Sequence, residues 1–230
     1  RLRLACYHRK GPLGQVMTAH GGELSHVGGI GLVVGTAACY RWPGQTWTFF
    51  EIDLLVVSLA RDRRYFHYLS DCAPEARMVV GDGRLALSRD AGPAYDLLIM
   101  DAFSSDAIPM HMLTREAIAV YLSRLAPGGL LLFHISNRHL DLAPVLADLA
   151  GDAGLAALIQ HAPGDQDNYY FATSRVAMAR QDNRLTPLAE DGRWKAMTSR
   201  PGRRVWTGDY GNLLSVTRTW RRLLGVYSED

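Results

Sequence analysis

Four stretches of this chain place a glycine or a carboxylate at the end of an apolar run, and those residue types at those spacings can hold a nucleoside. GIGLVVGT carries Gly31 and Gly35, and glycine both tolerates the positive φ of a tight turn and lets a ligand approach the backbone. Glu51 ends TWTFFE twenty positions after Gly31, a spacing at which a carboxylate accepts hydrogen bonds from ribose hydroxyls. Asp82 lies between Gly81 and Gly83 after ARMVV, where a short acidic side chain can accept from an adenine amino group. Asp101 ends YDLLIM, and the loop DAFSSDAIP then delivers a second carboxylate, Asp106. Each has an ordinary alternative: a plain strand-to-helix turn for the glycines, a solvent-facing Glu51, a helix cap for Asp82 or Asp101. Four successive strand ends bearing Gly, Glu, Asp and Asp are harder to explain one at a time. Together they describe a crevice for an adenosine-containing ligand.

Such residues need a scaffold that gathers strand ends. The run 97–100 is wholly apolar and bounded by Gly92, Pro93, Ser104, Ser105 and Pro109, as a strand buried on both faces would be. Strands are also expected at 27–32, 46–53, 76–82 and 130–136. Helices are expected at 54–69, 83–90, 142–154 and 112–125, the last ended by Pro127, Gly128 and Gly129, while 35–39 reads as a helix start. This alternation argues for βαβ units and a mostly parallel sheet with helices on both faces. In open sheets of that kind ligands sit beyond the carboxyl ends of the strands. Residues 155–162 and 171–180 read as the last two strands around a loop at 164–168. In 212–227, Leu213, Val216, Trp220 and Leu223 share one helical face, read as core packing. Residues 1–26 read as a short extended segment and a glycine-rich loop.

The chain of 230 residues has a net charge of +2 and is 48% hydrophobic, long enough for a proper core and not disordered. Arg193, Trp194, Arg203, Arg204, Trp206 and Trp220 mix base and aromatic near the end. Asp191, Asp209, Glu229 and Asp230 dilute that field, so a solvated face is expected rather than a nucleic-acid surface. Cys6, Cys39 and Cys72 lie far apart without CxxC spacing, which indicates neither a disulfide framework nor a zinc site and suits a reducing cytoplasm. His111, His134 and His139 lack metal-ligand spacing and read as structural or exposed; no metal is expected. The longest uncharged run, 27–40, is too short and too rich in glycine to span a bilayer, and no signal peptide is visible. The opening RLRLACY reads as the middle of a longer protein.

Dinucleotide oxidoreductases share the glycine turn and the ribose acid but do not need the third and fourth strand-end acids. The pattern is closer to folds that bind S-adenosylmethionine and its relatives. VGGIGLVVGT, FFEID, VVGDGR, YDLLIMDAFSSDAIP and LAPGGLLLFHISN together resemble the polyamine aminopropyltransferase (spermidine synthase) family. Closest are the bacterial spermidine-synthase-like domains sometimes fused behind membrane-spanning segments, to which YHRKGPLGQV and WTGDYGNLLS are also similar. The likeness covers roughly 5–150 well and the remainder thinly. It implies a Rossmann-like, S-adenosylmethionine-methyltransferase-type α/β fold, with decarboxylated S-adenosylmethionine as co-substrate and a polyamine such as putrescine as acceptor. It implies further that Gly31, Gly35 and Gly83 shape the cofactor site, that Glu51 holds the ribose and Asp82 the adenine. Asp101 would be the catalytic base and Asp106 would help bind the amine, with Tyr7 and His8 reaching the site from the N-terminal region. Partial burial and a neighbouring carboxylate would raise the pKa of Asp101 toward that of a useful base.

Three features depart from the family pattern. Val33 stands where the middle glycine of the turn is usual, and a β-branched residue resists positive φ. The loop DAFSSDAIP is longer than the family's DSSDP. The N-terminal β-domain that builds the oligomer is represented only by its end, so the expected organisation is a remnant at 1–26, a catalytic domain at 27–182 and a C-terminal extension at 183–230. A homodimer, and a membrane-spanning region in the full-length protein, belong to the same expectation, with this chain on the cytosolic side. Two rivals stand beside the aminopropyltransferase: a methyltransferase using the same crevice, and a catalytically silent ligand-binding domain of a membrane protein.

Overall fold

The computed structural model describes residues 5–103, 108–137, 139–165, 167–200 and 202–218. After a 3-10 turn at Ala5–Tyr7 comes helix α1 (Pro12–His20), with Pro12 in its first turn, where the missing N–H costs nothing. Strand β1 (His26–Ile30) leads through a 3-10 helix at Thr36–Tyr40 to β2 (Thr46–Glu51). Helices α2 (Leu54–Arg61) and α3 (Tyr68–Cys72) precede β3 (Arg77–Val80), and α4 (Gly83–Arg89) precedes β4 (Tyr95–Met100). Helix α5 (Arg115–Arg124) runs directly into β5 (Leu125–His134), followed by α6 (Ala143–Asp152), β6 (Ala156–Ala162) and β7 (Thr173–Ala179). Helix α7 (Thr186–Glu190), the short β8 (Lys195–Ala196) and a 3-10 helix at Leu214–Val216 follow.

The strands form one sheet in the order β3-β2-β1-β4-β5-β7-β6-β8. The pairs from β3 to β5 are parallel, while β7 is antiparallel to both β5 and β6, and β8 is antiparallel to β6. Helices cover both faces. Leu98, Met100, Leu131 and Phe133 pack with Leu87, Ile118 and Leu146 on one side. Leu97, Ile99, Leu130 and Leu132 pack with Leu13, Met17, Val57 and Leu188 on the other. The apolar run of β4 is thus buried on both faces, as its composition predicts. The α/β sheet with its reversed β7 is the methyltransferase-type arrangement expected from the motifs.

Several boundaries differ from expectation, each for a local reason. The stretch expected as a glycine-rich loop is helical instead: Leu13, Val16 and Met17 of α1 are buried against the sheet. The single helix expected at 54–69 breaks at Asp62, whose Oδ1 accepts from the Arg64 N–H at 2.9 Å while its carbonyl accepts from Tyr65 and Phe66. Helix α5 begins at Arg115 because Thr114 caps it, its hydroxyl oxygen accepting from the Ala117 N–H at 3.2 Å. Pro127, Gly128 and Gly129 lie inside β5, beside an irregular register between Tyr95 and Leu97. The expectation of unpaired cysteines fails for two of the three: Cys39 and Cys72 form a disulfide that ties the 3-10 helix at Thr36–Tyr40 to α3, and Cys6 is free. Of the C-terminal face, Leu213 is exposed and Val216 buried, while Trp220 and Leu223 lie outside the described residues. Among the described residues no helix is long and apolar enough to cross a membrane.

The turn after β1 is bent as a nucleotide-type turn even at the residue that departs from the pattern. Gly31, Val33 and Gly35 have φ of 91°, 54° and 80°. A Cβ on Gly31 would stand 2.5 Å from the Asp101 carbonyl oxygen, and one on Gly35 would stand 2.6 Å from Leu69. Those two glycines are required by contact as well as by angle. Val33 has no such excuse: a β-branched residue in the left-handed region is strained by about 1–2 kcal/mol. Val33→Gly should therefore stabilise the fold by about 1 kcal/mol, read as a higher urea midpoint at unchanged slope; a lower midpoint would show that the side chain packs usefully.

Candidate active site

The ends of β1, β2, β3 and β4 enclose a crevice of about 520 Å³ lined by Gly31, Val33, Glu51, Asp82, Asp101 and Phe103 among others. Glu51 reaches back to the glycine turn, its Oε2 accepting from the Leu32 N–H at 2.9 Å and its Oε1 from the Asp53 N–H at 3.1 Å. A carboxylate has about four lone-pair sites, so capacity for two hydroxyl donors remains. Asp82 caps α4 through Oδ1, which accepts from the Leu85 N–H at 2.9 Å, and its Oδ2 lies 3.1 Å from His111 Nε2. The capping and crevice-lining readings of Asp82 are therefore both realised. His111, read from sequence as structural or exposed, is exposed and also lines the crevice.

Asp101 sits at the crevice floor, 4% exposed, and is held from three sides. Its Oδ2 accepts from the Tyr7 hydroxyl at 2.9 Å and from Arg175 Nη2 at 3.0 Å, and its Oδ1 lies 2.7 Å from His134 Nδ1. Its backbone N–H donates to the Ile30 carbonyl at 2.8 Å, locking the ends of β1 and β4 together. Burial alone would raise the carboxyl pKa, but the Arg175 guanidinium and His134 outweigh it and hold the group well below the usual carboxylate range. The expected upward shift of Asp101 is thus reversed. The neighbour that decides the sign is an arginine rather than a second carboxylate, since Arg175 is fully buried beside it.

A second cavity, of about 910 Å³, opens on the other side of Phe103 and is lined by His134, Ser136, His161, Phe171, Thr173 and Arg218 among others. Phe103 borders both cavities and packs edge-on against His134, with ring centroids 4.8 Å apart. Of the residues expected from the N-terminal region, Tyr7 does reach Asp101. His8 is buried but stacks on Tyr170 with centroids 4.0 Å apart and lines neither cavity. Gly83 lines the crevice, whereas Gly35 does not and lies against Leu69. Asp106 lies outside the described residues.

Sequence reasoning missed His134 and Arg175. The available signal was that each interrupts an apolar strand, LLLFH and RVAMA, at a position whose neighbours two residues along are core. The folded pKa of Asp101 lies below the unfolded carboxylate value of about 3.9, so the stability it contributes is complete above that pH and is lost as pH falls. Asp101→Asn should flatten the acid side of a urea-unfolding pH series and cost about 3 kcal/mol at neutral pH by leaving Arg175 buried without its partner. An unchanged acid dependence would show that the pair contributes nothing.

No protein-family model matches the chain. Over 100 residues the chain is 31% identical to a polyamine aminopropyltransferase of Vibrio vulnificus (strain CMCP6), a match that covers 43% of this chain and 32% of that protein. The chain thus spans about a third of the curated relative it matches. In fold it is similar to a probable spermidine synthase from Corynebacterium glutamicum ATCC 13032, with a TM-score of 0.61 and 19% identity over 87% of this chain and 80% of the other. It is also similar to human methyltransferase-like protein 13, solved in complex with SAH, with a TM-score of 0.54 and 16% identity over 95% of this chain and 91% of the other. At those identities the structural likeness speaks for the fold alone. The motifs and the curated relative, carried on a methyltransferase-type α/β fold, relate this chain to the polyamine aminopropyltransferases.

Proposed function

We propose that this chain transfers an aminopropyl group from decarboxylated S-adenosylmethionine to a polyamine such as putrescine. The observation that carries the reading is the junction of two cavities: a crevice bearing Gly31, Glu51 and Asp82 meets a larger one across Phe103, with Asp101 and His134 hydrogen-bonded at the boundary. In this reading Glu51 takes the ribose, Asp82 the adenine, and the sulfonium carbon points past Phe103 to an amine in the second cavity. Holding donor and acceptor in line supplies much of the rate for a displacement of this kind. Tyr7 belongs to the acceptor side through Asp101, and Asp106 is assigned there from the motif. A cytoplasmic location and a homodimer go with the same proposal.

One observation favours a second reading, a methyltransferase. Among the described residues, Arg218 is the single charged side chain lining the second cavity, and no carboxylate lines it. A polycation prefers carboxylates there, whereas many methyl acceptors do not.

Calorimetry with decarboxylated S-adenosylmethionine, S-adenosylmethionine and methylthioadenosine ranks the two. The decarboxylated donor should bind at least about tenfold more tightly than the carboxylated one, a difference of about 1.4 kcal/mol, and Glu51→Ala should weaken all three ligands. Tighter binding of S-adenosylmethionine would favour the methyltransferase, and binding without transfer to any amine would favour a silent ligand-binding domain.

A further inference from the structure

Aminopropyl transfer needs a group that takes a proton from the acceptor ammonium, and Asp101 is poorly placed to be it. Both its oxygens already accept hydrogen bonds, and Arg175 keeps it acidic. Its neighbour has the more basic lone pair. A carboxylate can only accept, so the His134 Nδ1 that lies 2.7 Å from Asp101 Oδ1 carries the hydrogen, and Nε2 is the basic nitrogen. That Nε2 lies 2.8 Å from Ser136 Oγ and 3.1 Å from Thr173 Oγ1, and all three residues line the second cavity. The Ser174 N–H donates to Ser136 Oγ at 2.8 Å, and the Ser136 hydroxyl hydrogen has two acceptors within reach, Nε2 at 2.8 Å and Thr173 Oγ1 at 3.4 Å, of which Nε2 is the nearer.

Resting on the aminopropyl-transfer reading, we infer that His134 is the general base of the reaction and that Asp101 is the residue that positions it. The acceptor ammonium gives one proton to Nε2, directly or through the Ser136 hydroxyl. The freed nitrogen pair attacks the propyl carbon bonded to sulfur; the C–N bond forms, the C–S bond breaks, and its electron pair stays on sulfur, so the sulfonium leaves as a neutral thioether. The imidazolium is held by the Asp101 carboxylate until its proton passes to water in the cavity.

Among the described residues, the charged groups facing His134 are Asp101 from the end of β4 and Arg175 from β7; Tyr7 holds the far oxygen of Asp101, and Phe103, Ser136 and Thr173 are uncharged. Burial and Arg175 pull the imidazole pKa below its ordinary value, against the opposing effect of Asp101. The ring is therefore neutral at pH 7. Even an ordinary imidazole accepts a proton about 400-fold more readily than an ordinary carboxylate.

The test follows methylthioadenosine release from decarboxylated S-adenosylmethionine with putrescine across pH, for the wild type, His134→Gln and Asp101→Asn. Methylthioadenosine binding is measured on each. Wild-type kcat/KM should show an acid limb below pH ~6.5. His134→Gln should lose that limb and about 100-fold or more in kcat while binding methylthioadenosine as before, and Asp101→Asn should move the limb to lower pH. A merely structural role would leave the limb where it is. Because kcat/KM reports the free enzyme, the His134 resonance in the NMR titration of the wild type should share the midpoint of the limb, a check that needs no variant to fold. His134→Gln turning over within about threefold with its limb intact, or a mismatched midpoint, would overturn the assignment while leaving the transferase reading standing. A wild type that binds none of the nucleosides would instead remove the reading, and the base with it.

Discussion

The buried pair of Asp101 and Arg175 is the constraint around which the rest of the molecule is arranged. Either charge taken from water alone costs several kcal/mol, and their attraction offsets this only where further hydrogen bonds complete the geometry. The fold brings the two together by inserting β7 antiparallel between β5 and β6, and Tyr7 and His134 complete the hydrogen bonding of the carboxylate. The register then sets Arg175 opposite His134 on one side and Gln160 on the other, on the sheet face that also carries Ile99 and leads to Asp101. Asp101, His134, Gln160 and Arg175 form one buried polar row at the strand ends, roofed by Tyr7.

The two sides of the site have different physical origins. The crevice at the ends of β1 to β4 follows from backbone: glycines that admit positive φ, a β1 end close enough to β4 that Gly31 has no room for a side chain, and carboxylates that brace the turns they follow. The second cavity takes its character from side chains. Its polarity comes from His134, His161, Ser136, Thr173 and Arg218, gathered from the ends of β5, β6 and β7 and the segment beyond. Phe103 stands between them as an apolar partition.

Charge at this junction is lower than two aspartates in one loop suggest. Arg175 balances Asp101, and burial keeps the imidazole neutral at pH 7. In the proposed reading the carboxylate thus orients and stabilises rather than attracts. On that same reading, proton transfer and cation recognition, which the motif combines in one loop, fall to different residues.

The α/β order, the strand buried on both faces, the glycine turn and the acids at its rim were legible in the sequence. Each depends on a local rule, such as an apolar run of strand length, a positive-φ glycine or a spacing of about twenty residues between turn and ribose acid. Helix breaks at Asp62 and Thr114, the helix in the N-terminal segment and the Cys39–Cys72 pairing were not legible, because competing side-chain hydrogen bonds and tertiary contacts decide them. The same holds for the chemistry of Asp101. Sequence alone set an acid at the end of β4; only the tertiary structure supplied its neighbours, from residues 94 positions before it and 33 and 74 after it. A carboxyl group's proton affinity depends on the charges within a few ångströms of it, and long-range strand order is what brings them there.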